Sequence, residues 1–260
     1  MHEAGAQRTA LITGGSRGIG RAIAERLLAD GLRIVLTGRH AERLAQAVEE
    51  LGGSAQGVAG VALDLTDRAG LQRGIEALAA AAGQVDVLVN NAGIAPGAPL
   101  HRTDDATWDR VMQLNAHAPF ALCRAFVPAM VERGGGRVVQ IASIAGLTGV
   151  AYTSAYCASK HALVGLTRAL AMELATTGVT VNAVCPGWVE TDMAAAAIER
   201  IERSTGRDAE AARASLERMS PQRRFVRPDE VAGLVSWLCS DAAGAVTGQA
   251  WSIDGGTVMR

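Results

Sequence analysis

Lysine is almost absent from this chain: of its 25 basic residues, only Lys160 is not an arginine. A bias in codon usage explains the skew, yet it leaves the single survivor conspicuous. Arginine replaces lysine at surface positions at little cost, whereas a compact ammonium on a flexible stem is different chemistry from a planar fork. An excess of charge of one sign is missing as well. The formal net charge is −1, which recommends neither nucleic acid nor an acidic membrane as a partner. Cysteines are few and far apart (Cys123, Cys157, Cys185, Cys239) with no CxxC spacing. That excludes a disulfide scaffold and suits free thiols in the cytoplasm. No HExxH, cysteine cluster or carboxylate cluster suggests a metal. No run approaches the roughly 18 apolar residues of a membrane span, and the polar start Met1–Arg8 lacks the apolar region of a secretory signal.

What is present is ample for a core: 260 residues, 49% hydrophobic, with 30 glycines. Short β-branched runs alternate with longer amphipathic stretches. Strands are expected at Thr9–Thr13, Arg33–Thr37, Val58–Asp64, Val85–Asn90, Arg137–Ser143, Val179–Cys185 and Gln249–Ile253. Helices are expected between them, including a long region Asp104–Arg133 punctuated by Pro119 and Pro128, and Ser154–Thr177. Strand, helix, strand without hairpin signals means parallel strands joined by crossover helices. The expected fold is one α/β domain over residues 1–260, a doubly wound Rossmann sheet of about seven strands with helices on both faces. One segment, 188–227, breaks the rhythm with charged helical pieces at Ile198–Arg203 and Asp208–Met219. An excursion of that length reads as a substrate lid.

Thr13-Gly14-Gly15-Ser16-Arg17-Gly18-Ile19-Gly20 follows the first strand and opens the first helix. Glycines there permit a tight turn and close approach of a pyrophosphate, and the helix N-terminus offers free N–H groups. The same residues spell G-x-S-x-G, the nucleophile elbow of hydrolases. That reading needs a histidine downstream of an acid, and no histidine follows His161. The cofactor is decided where the second strand ends, in Thr37-Gly38-Arg39. A carboxylate there would take the ribose hydroxyl of NAD, while arginines such as Arg39 and Arg17 accommodate the 2′-phosphate of NADP. NADP(H) is the expected cofactor.

Tyr156 and Lys160 stand at i and i+4, on one helical face. A free phenol titrates near 10, and a nearby cation is expected to draw that value down. Tyr156 then serves as general acid–base toward a carbonyl oxygen. Ser143 is read as the end of its strand, at the sheet edge where open α/β folds bind ligands. Asn90-Asn91-Ala92-Gly93 and Cys185-Pro186-Gly187 end neighbouring strands at that edge.

With these residues in order, the chain resembles the short-chain dehydrogenase/reductase family from about residue 8 onward. The carriers are Thr13–Gly20, Asp64, Asn90–Gly93, Asn115, Ser143, Tyr156-x-x-x-Lys160, Pro186-Gly187, Thr191 and Asp254-Gly255-Gly256. The resemblance implies a catalytic set of Asn115, Ser143, Tyr156 and Lys160. It implies cofactor contacts from Gly14, Ser16, Arg17, Gly18, Ile19, Gly20, Arg39, Asp64, Leu65, Asn91, Ala92, Gly93, Pro186, Gly187, Val189 and Thr191, with Tyr156 and Lys160. Ser143, Tyr156 and Trp188 are the expected substrate contacts. Reduction of a 3-oxoacyl or polyketide-type ketone, free or as a thioester or carrier-bound chain, is the implied reaction, and a homotetramer the implied assembly. Two alternatives stay open: a 3-hydroxyacyl or 3-hydroxybutyrate dehydrogenase working oxidatively, and an NADP-binding regulator on the same fold.

Overall fold

A computed structural model describes residues 7–259. Residues 1–6, which carry most of the polar start, lie outside the described residues, as does residue 260. The chain begins with strand β1 (Thr9–Thr13), helix α1 (Gly18–Ala29), β2 (Arg33–Gly38), α2 (Ala41–Glu50) and β3 (Val58–Ala62). It continues through α3 (Leu71–Ala82), β4 (Val87–Asn90), α4 (Asp105–Met112), α5 (Ala118–Glu132) and β5 (Gly136–Ile141). Helix α6 (Ser154–Glu173) leads to β6 (Val179–Pro186), then α7 (Asp192–Thr205), α8 (Ala209–Glu217), α9 (Pro228–Cys239) and β7 (Ala250–Ile253).

The strands form one parallel sheet in the order β3-β2-β1-β4-β5-β6-β7. Alternation of side chains across the sheet divides the interior into two cores. Ile12, Ile34, Leu36 and Val139 pack against Ile23 and Leu27 of α1 and Val231, Val235 and Leu238 of α9. Leu11, Val35, Leu88 and Val138 pack on the other face against Ile75 and Leu78 of α3 and Leu122 and Met130 of α5. Central strands are buried on both sides, which is why they read as near-continuous apolar runs. The chain moves outward from β1 to β3 and then returns to β4 on the opposite side of β1. A crevice therefore opens at the carboxyl ends of β1 and β4, where a doubly wound sheet receives its ligand.

Three expectations need correction. Ser143 does not end its strand. β5 stops at Ile141, and Ser143 instead caps a short 3₁₀ turn, Ile144–Gly146, accepting a bond from Ala145 N at 3.1 Å. The prolines do not punctuate the long helical region. Pro119 falls in the first turn of α5, Pro128 sits inside that helix, and the real irregularity is a π turn over Gln113–His117 that carries Asn115. The excursion after β6 is also more ordered than its polarity suggests. The alanine run Ala194–Ala197 belongs to α7 and buries Ala194 and Ala197, while Glu190 N to Val226 O (3.0 Å) and Val226 N to Trp188 O (2.8 Å) clamp the base of the excursion shut.

Candidate active site

The glycine turn after β1 is built against two partners. Gly14 N and Gly15 N both donate to Thr37 O, at 2.8 and 3.2 Å, which folds the turn onto the end of β2. Asn91 braces the other side, its Nδ2 donating to Thr13 O (2.9 Å) and Gly14 O (3.1 Å). Thr13 Oγ1 accepts from Asn91 N and Ala92 N at 2.9 and 3.0 Å. Gly14 is left-handed (φ 65°), a conformation that glycine adopts without strain. A Cβ at Gly20 would overlap the Gly14 carbonyl and stand 2.5 Å from Asn91 Nδ2. Beyond the turn, no side chain caps the start of α1, which leaves first-turn amides for an anion. The cradle thus fits a dinucleotide pyrophosphate.

At the β2–β3 end, the loop positions are short of carboxylate. Arg39 Nε meets His40 Nε2 at 2.9 Å. Arg17, expected to face a phosphate, is ion-paired with Asp192 at the start of α7. Asp64 accepts from Thr66 N (2.9 Å) and Thr66 Oγ1 (2.7 Å). Burial raises its carboxyl, but those bonds and the Arg39 and His40 charges outweigh it and hold the group below its ordinary value.

The opposite end gathers Ser143, Tyr156 and Lys160. Lys160 is buried, and its Nζ donates to Ile141 O at 2.7 Å. The ammonium lies 5.7 Å from the Tyr156 ring centre. Burial pulls Lys160 down to about 8. Tyr156 is half-buried, and its dense surroundings push the phenol up to about 12, with the Ser143 side chain pulling the other way. The expected depression of Tyr156 by Lys160 is therefore not what this arrangement produces: desolvation dominates the phenol, and the ammonium is committed to the Ile141 carbonyl. Ser143 Oγ accepts from Ala145 N, and its hydroxyl also meets the phenol of Tyr156.

Asn115 is fully buried. Its Oδ1 accepts from Ile94 N (3.0 Å), and its Nδ2 donates to Ile94 O (2.9 Å) and Ser159 Oγ (3.0 Å). Ser159 in turn donates to Tyr156 O at 2.7 Å. The π turn in the α4–α5 run carries Asn115 where it ties that run to α6.

A cleft of about 360 Å³ joins the two ends. It is lined by Gly14, Ser16, Arg17, Gly18, Ile19, Arg39, Asp64, Leu65, Asn91, Ala92, Gly93, Ser143, Tyr156, Lys160, Pro186, Gly187, Trp188, Val189 and Thr191. Gly20 and Asn115 are not on its wall. Gly20 packs behind the turn, and Asn115 stands behind Gly93, where a Cβ would come 3.2 Å from Asn115 Oδ1. The sequence reading missed Thr153, Met193, Arg200 and Met219, which also line the cleft. Met193 and Arg200 are seven residues apart on α7 and share a face, a periodicity available in the sequence once that helix is recognised. Among the described residues, no group of three or more His, Cys, Asp and Glu is placed to hold a metal, and no helix is long and apolar enough to cross a membrane.

Comparison with known proteins gives concordant matches. The family described as short chain dehydrogenase matches residues 8–202. A crystal structure of a single-site tryptophan variant of the actinorhodin polyketide ketoreductase with NADPH superposes with a TM-score of 0.91 at 40% identity, covering 96% of this chain and 97% of that one. The 3-oxoacyl-(acyl-carrier-protein) reductase FabG of Escherichia coli K12 is 37% identical over 253 residues, 97% of this chain and 98% of the relative. The D-beta-hydroxybutyrate dehydrogenase of Cupriavidus necator is 36% identical over 254 residues, again 97% and 98%.

Proposed function

The chain belongs to the short-chain dehydrogenase/reductase family, and from that premise we propose that it reduces a 3-oxoacyl or polyketide-type ketone with NADPH. One observation carries the reading: a glycine cradle without a carboxylate at Gly38–Arg39 opens into the same cleft as Ser143, Tyr156 and Lys160. When bound, NADPH supplies the hydride taken up by the carbonyl carbon. The chain's own groups handle the oxygen. A phenol pushed up to about 12 stays protonated across neutral pH, which suits Tyr156 as proton donor in the reductive direction. Its proton goes to the carbonyl oxygen as the C–H bond forms, and the product is a secondary alcohol. Ser143, whose hydroxyl meets the phenol, orients that oxygen with the same hydroxyl. The phenolate left behind regains its proton from solvent, beside the Lys160 ammonium, which lies 5.7 Å from the phenol ring centre.

The same reading makes segment 188–227 the lid of a single domain, with Trp188 as a substrate wall, and Gly14–Gly20, Asp64, Leu65, Asn91–Gly93, Pro186, Gly187, Val189 and Thr191 as the cofactor bed. It extends to a thioester or carrier-bound acyl chain as substrate and a homotetramer in the cytoplasm. A 3-hydroxyacyl dehydrogenase is the competing assignment, favoured by the hydroxybutyrate relative and disfavoured by the residues at the end of β2. The test is NADPH consumption, followed by absorbance, against a panel of 3-oxo thioesters and cyclic ketones, with NADH alongside. Rapid NADPH-linked reduction is expected. Cofactor binding without turnover would favour a regulator.

A further inference from the structure

Helix α7 presents Met193, Ala197 and Arg200 to the cleft. Their i, i+4, i+7 spacing is one helical face. Arg200 is half-buried, and no ion pair or side-chain hydrogen bond joins it to another described residue. The sequence shows why: the positions three and four residues away on either side are Ala197, Ala196, Arg203 and Ser204, so no carboxylate lies within helical reach. Arg203, Arg207, Arg218 and Arg223 of the excursion are also without an ion pair to a described residue, but they are exposed to solvent and off the cleft, whereas Arg213 and Arg224 are matched. Arg213 meets Glu190 and Glu217 at 2.7 Å, and Arg224 meets Glu230 at 2.7 Å.

The Arg200 guanidinium approaches the loop that follows β4 at Gly97. A Cβ on Gly97 would come within 2.8 Å of its Nη1, and the Tyr152 carbonyl is 3.4 Å from the same point. Ala98 N donates to that carbonyl at 2.8 Å, which ties the two loops together next to Gly97. The cleft that Arg200 lines also has apolar walls, among them Ile94, Ala95, Val150, Trp188 and Met219. Arg200 is also further along α7 than the residue that meets the glycine turn. Asp192, which meets Arg17 of the glycine turn, lies eight residues earlier on α7, about 12 Å along the axis at 1.5 Å per residue.

A half-buried guanidinium without a carboxylate, on the same cleft as Tyr156, lacks its anion. We infer that Arg200 is a specificity-determining residue that receives an oxyanion of the substrate, so that the cleft takes ketones with an apolar body and a distal phosphate or carboxylate. The fork of donors suits either group. This rests on the ketoreductase reading for the identity of the reacting end, and the closing experiment separates the two.

Two matched pairs of ketones are compared. In one, a 3-oxoacyl thioester of pantetheine 4′-phosphate is set against that of pantetheine. In the other, an ω-carboxylated 3-oxo ester is set against its ω-amide. Charge-assisted bonds of this kind predict a tenfold to hundredfold preference in kcat/KM for the anionic member, and the pair that shows it identifies the anion. Arg200→Gln should bring that ratio to within about threefold of unity, chiefly through KM, and Arg200→Lys should retain part of it. A ratio within one variant cancels any general loss of activity. Arg203→Gln, at a position off the cleft, should keep the ratio. Absence of a preference in both pairs, or its survival in Arg200→Gln, would overturn the proposal. Calorimetry on the NADPH-loaded protein repeats the comparison without turnover, using pantetheine 4′-phosphate against pantetheine and hexanoate against hexanamide. If no ketone is reduced, the ketoreductase reading fails, while the binding ratios still decide the role of Arg200.

Discussion

Replacing Gly38 by aspartate and Arg39 by leucine should turn cofactor preference from NADPH to NADH. The backbone accepts the change: Gly38 lies outside the left-handed region, and its Cβ would stand 3.6 Å from Ser16 Oγ and 3.9 Å from Leu44 Cδ1, in ordinary contact. An aspartate there reaches the side of the cleft lined by Arg39 and Asp64, where it would accept ribose hydroxyl bonds and repel a 2′-phosphate. Charge-assisted hydrogen bonds contribute about 1.5–3 kcal/mol each. At about 1.4 kcal/mol per tenfold, one or two contacts from Arg39 and Arg17 give the native chain at least a tenfold to hundredfold preference for NADPH. The double variant removes the Arg39 contact and adds a repulsion, so the ratio should cross unity, with little change in kcat once cofactor saturates. The assay is kcat/KM for NADPH and NADH with one ketone, on both proteins. Equal or better use of NADH by the native chain would refute the reasoning and return Arg17 and Arg39 to ordinary surface residues.

Gly20→Ala should weaken NADPH binding at least tenfold in a fluorescence titration, because its Cβ meets the fixed Gly14 carbonyl and the Asn91 amide, and overpacking of this kind costs about 1–3 kcal/mol. Affinity within threefold of native would contradict the cradle. Lys160 titrates near 8 in the folded chain against an ordinary 10.5. Its ammonium is therefore lost as pH rises through about 8, and kcat/KM for reduction should fall there. Between about 8 and 10.5 the unfolded chain binds the proton that the folded chain does not, so this group's contribution makes stability rise with pH across that window. Lys160→Arg should flatten the limb near pH 8 while lowering activity strongly, and a fully active arginine variant would show that ammonium shape is irrelevant. Asp192→Asn releases Arg17 from an exposed pair. Surface pairs are weak, so NADPH should bind up to about fivefold more tightly, and weaker binding would mean that Arg17 does not face the phosphate.

The alternation of strand and helix is legible because buried parallel strands must be apolar on both faces, as Leu11 and Ile12 are on opposite sides of β1. The glycine turn and the Tyr156–Lys160 pair are legible because their spacing is local. Less legible are features set by tertiary bonds. The Ala142 N to Val184 O bond (2.7 Å) keeps the backbone extended just past β5, so the apolar pattern runs on into Ser143 although the strand has ended. The π turn at Asn115 has no periodic signature, and the three side-chain hydrogen bonds that Asn115 makes there go to Ile94 and Ser159, 21 and 44 residues away. The high Tyr156 value and the low Lys160 value depend on burial, which i, i+4 spacing alone does not reveal. Arg200 does not stand out in the sequence because the charged piece Ile198–Arg203 reads as a shorter helix, and the face shared with Met193 emerges only over the full length Asp192–Thr205.

The most direct test of the account is Tyr156→Phe, assayed for NADPH-linked reduction of a 3-oxoacyl thioester and, separately, for NADPH affinity. The substitution removes one hydroxyl and leaves the glycine cradle, Ser143 and Lys160 in place. Loss of the proton donor predicts a fall in kcat of roughly 10²–10⁴-fold, with the NADPH Kd within about threefold of native. Reduction within about threefold of the native rate would contradict the assignment of Tyr156 as the group that protonates the carbonyl oxygen.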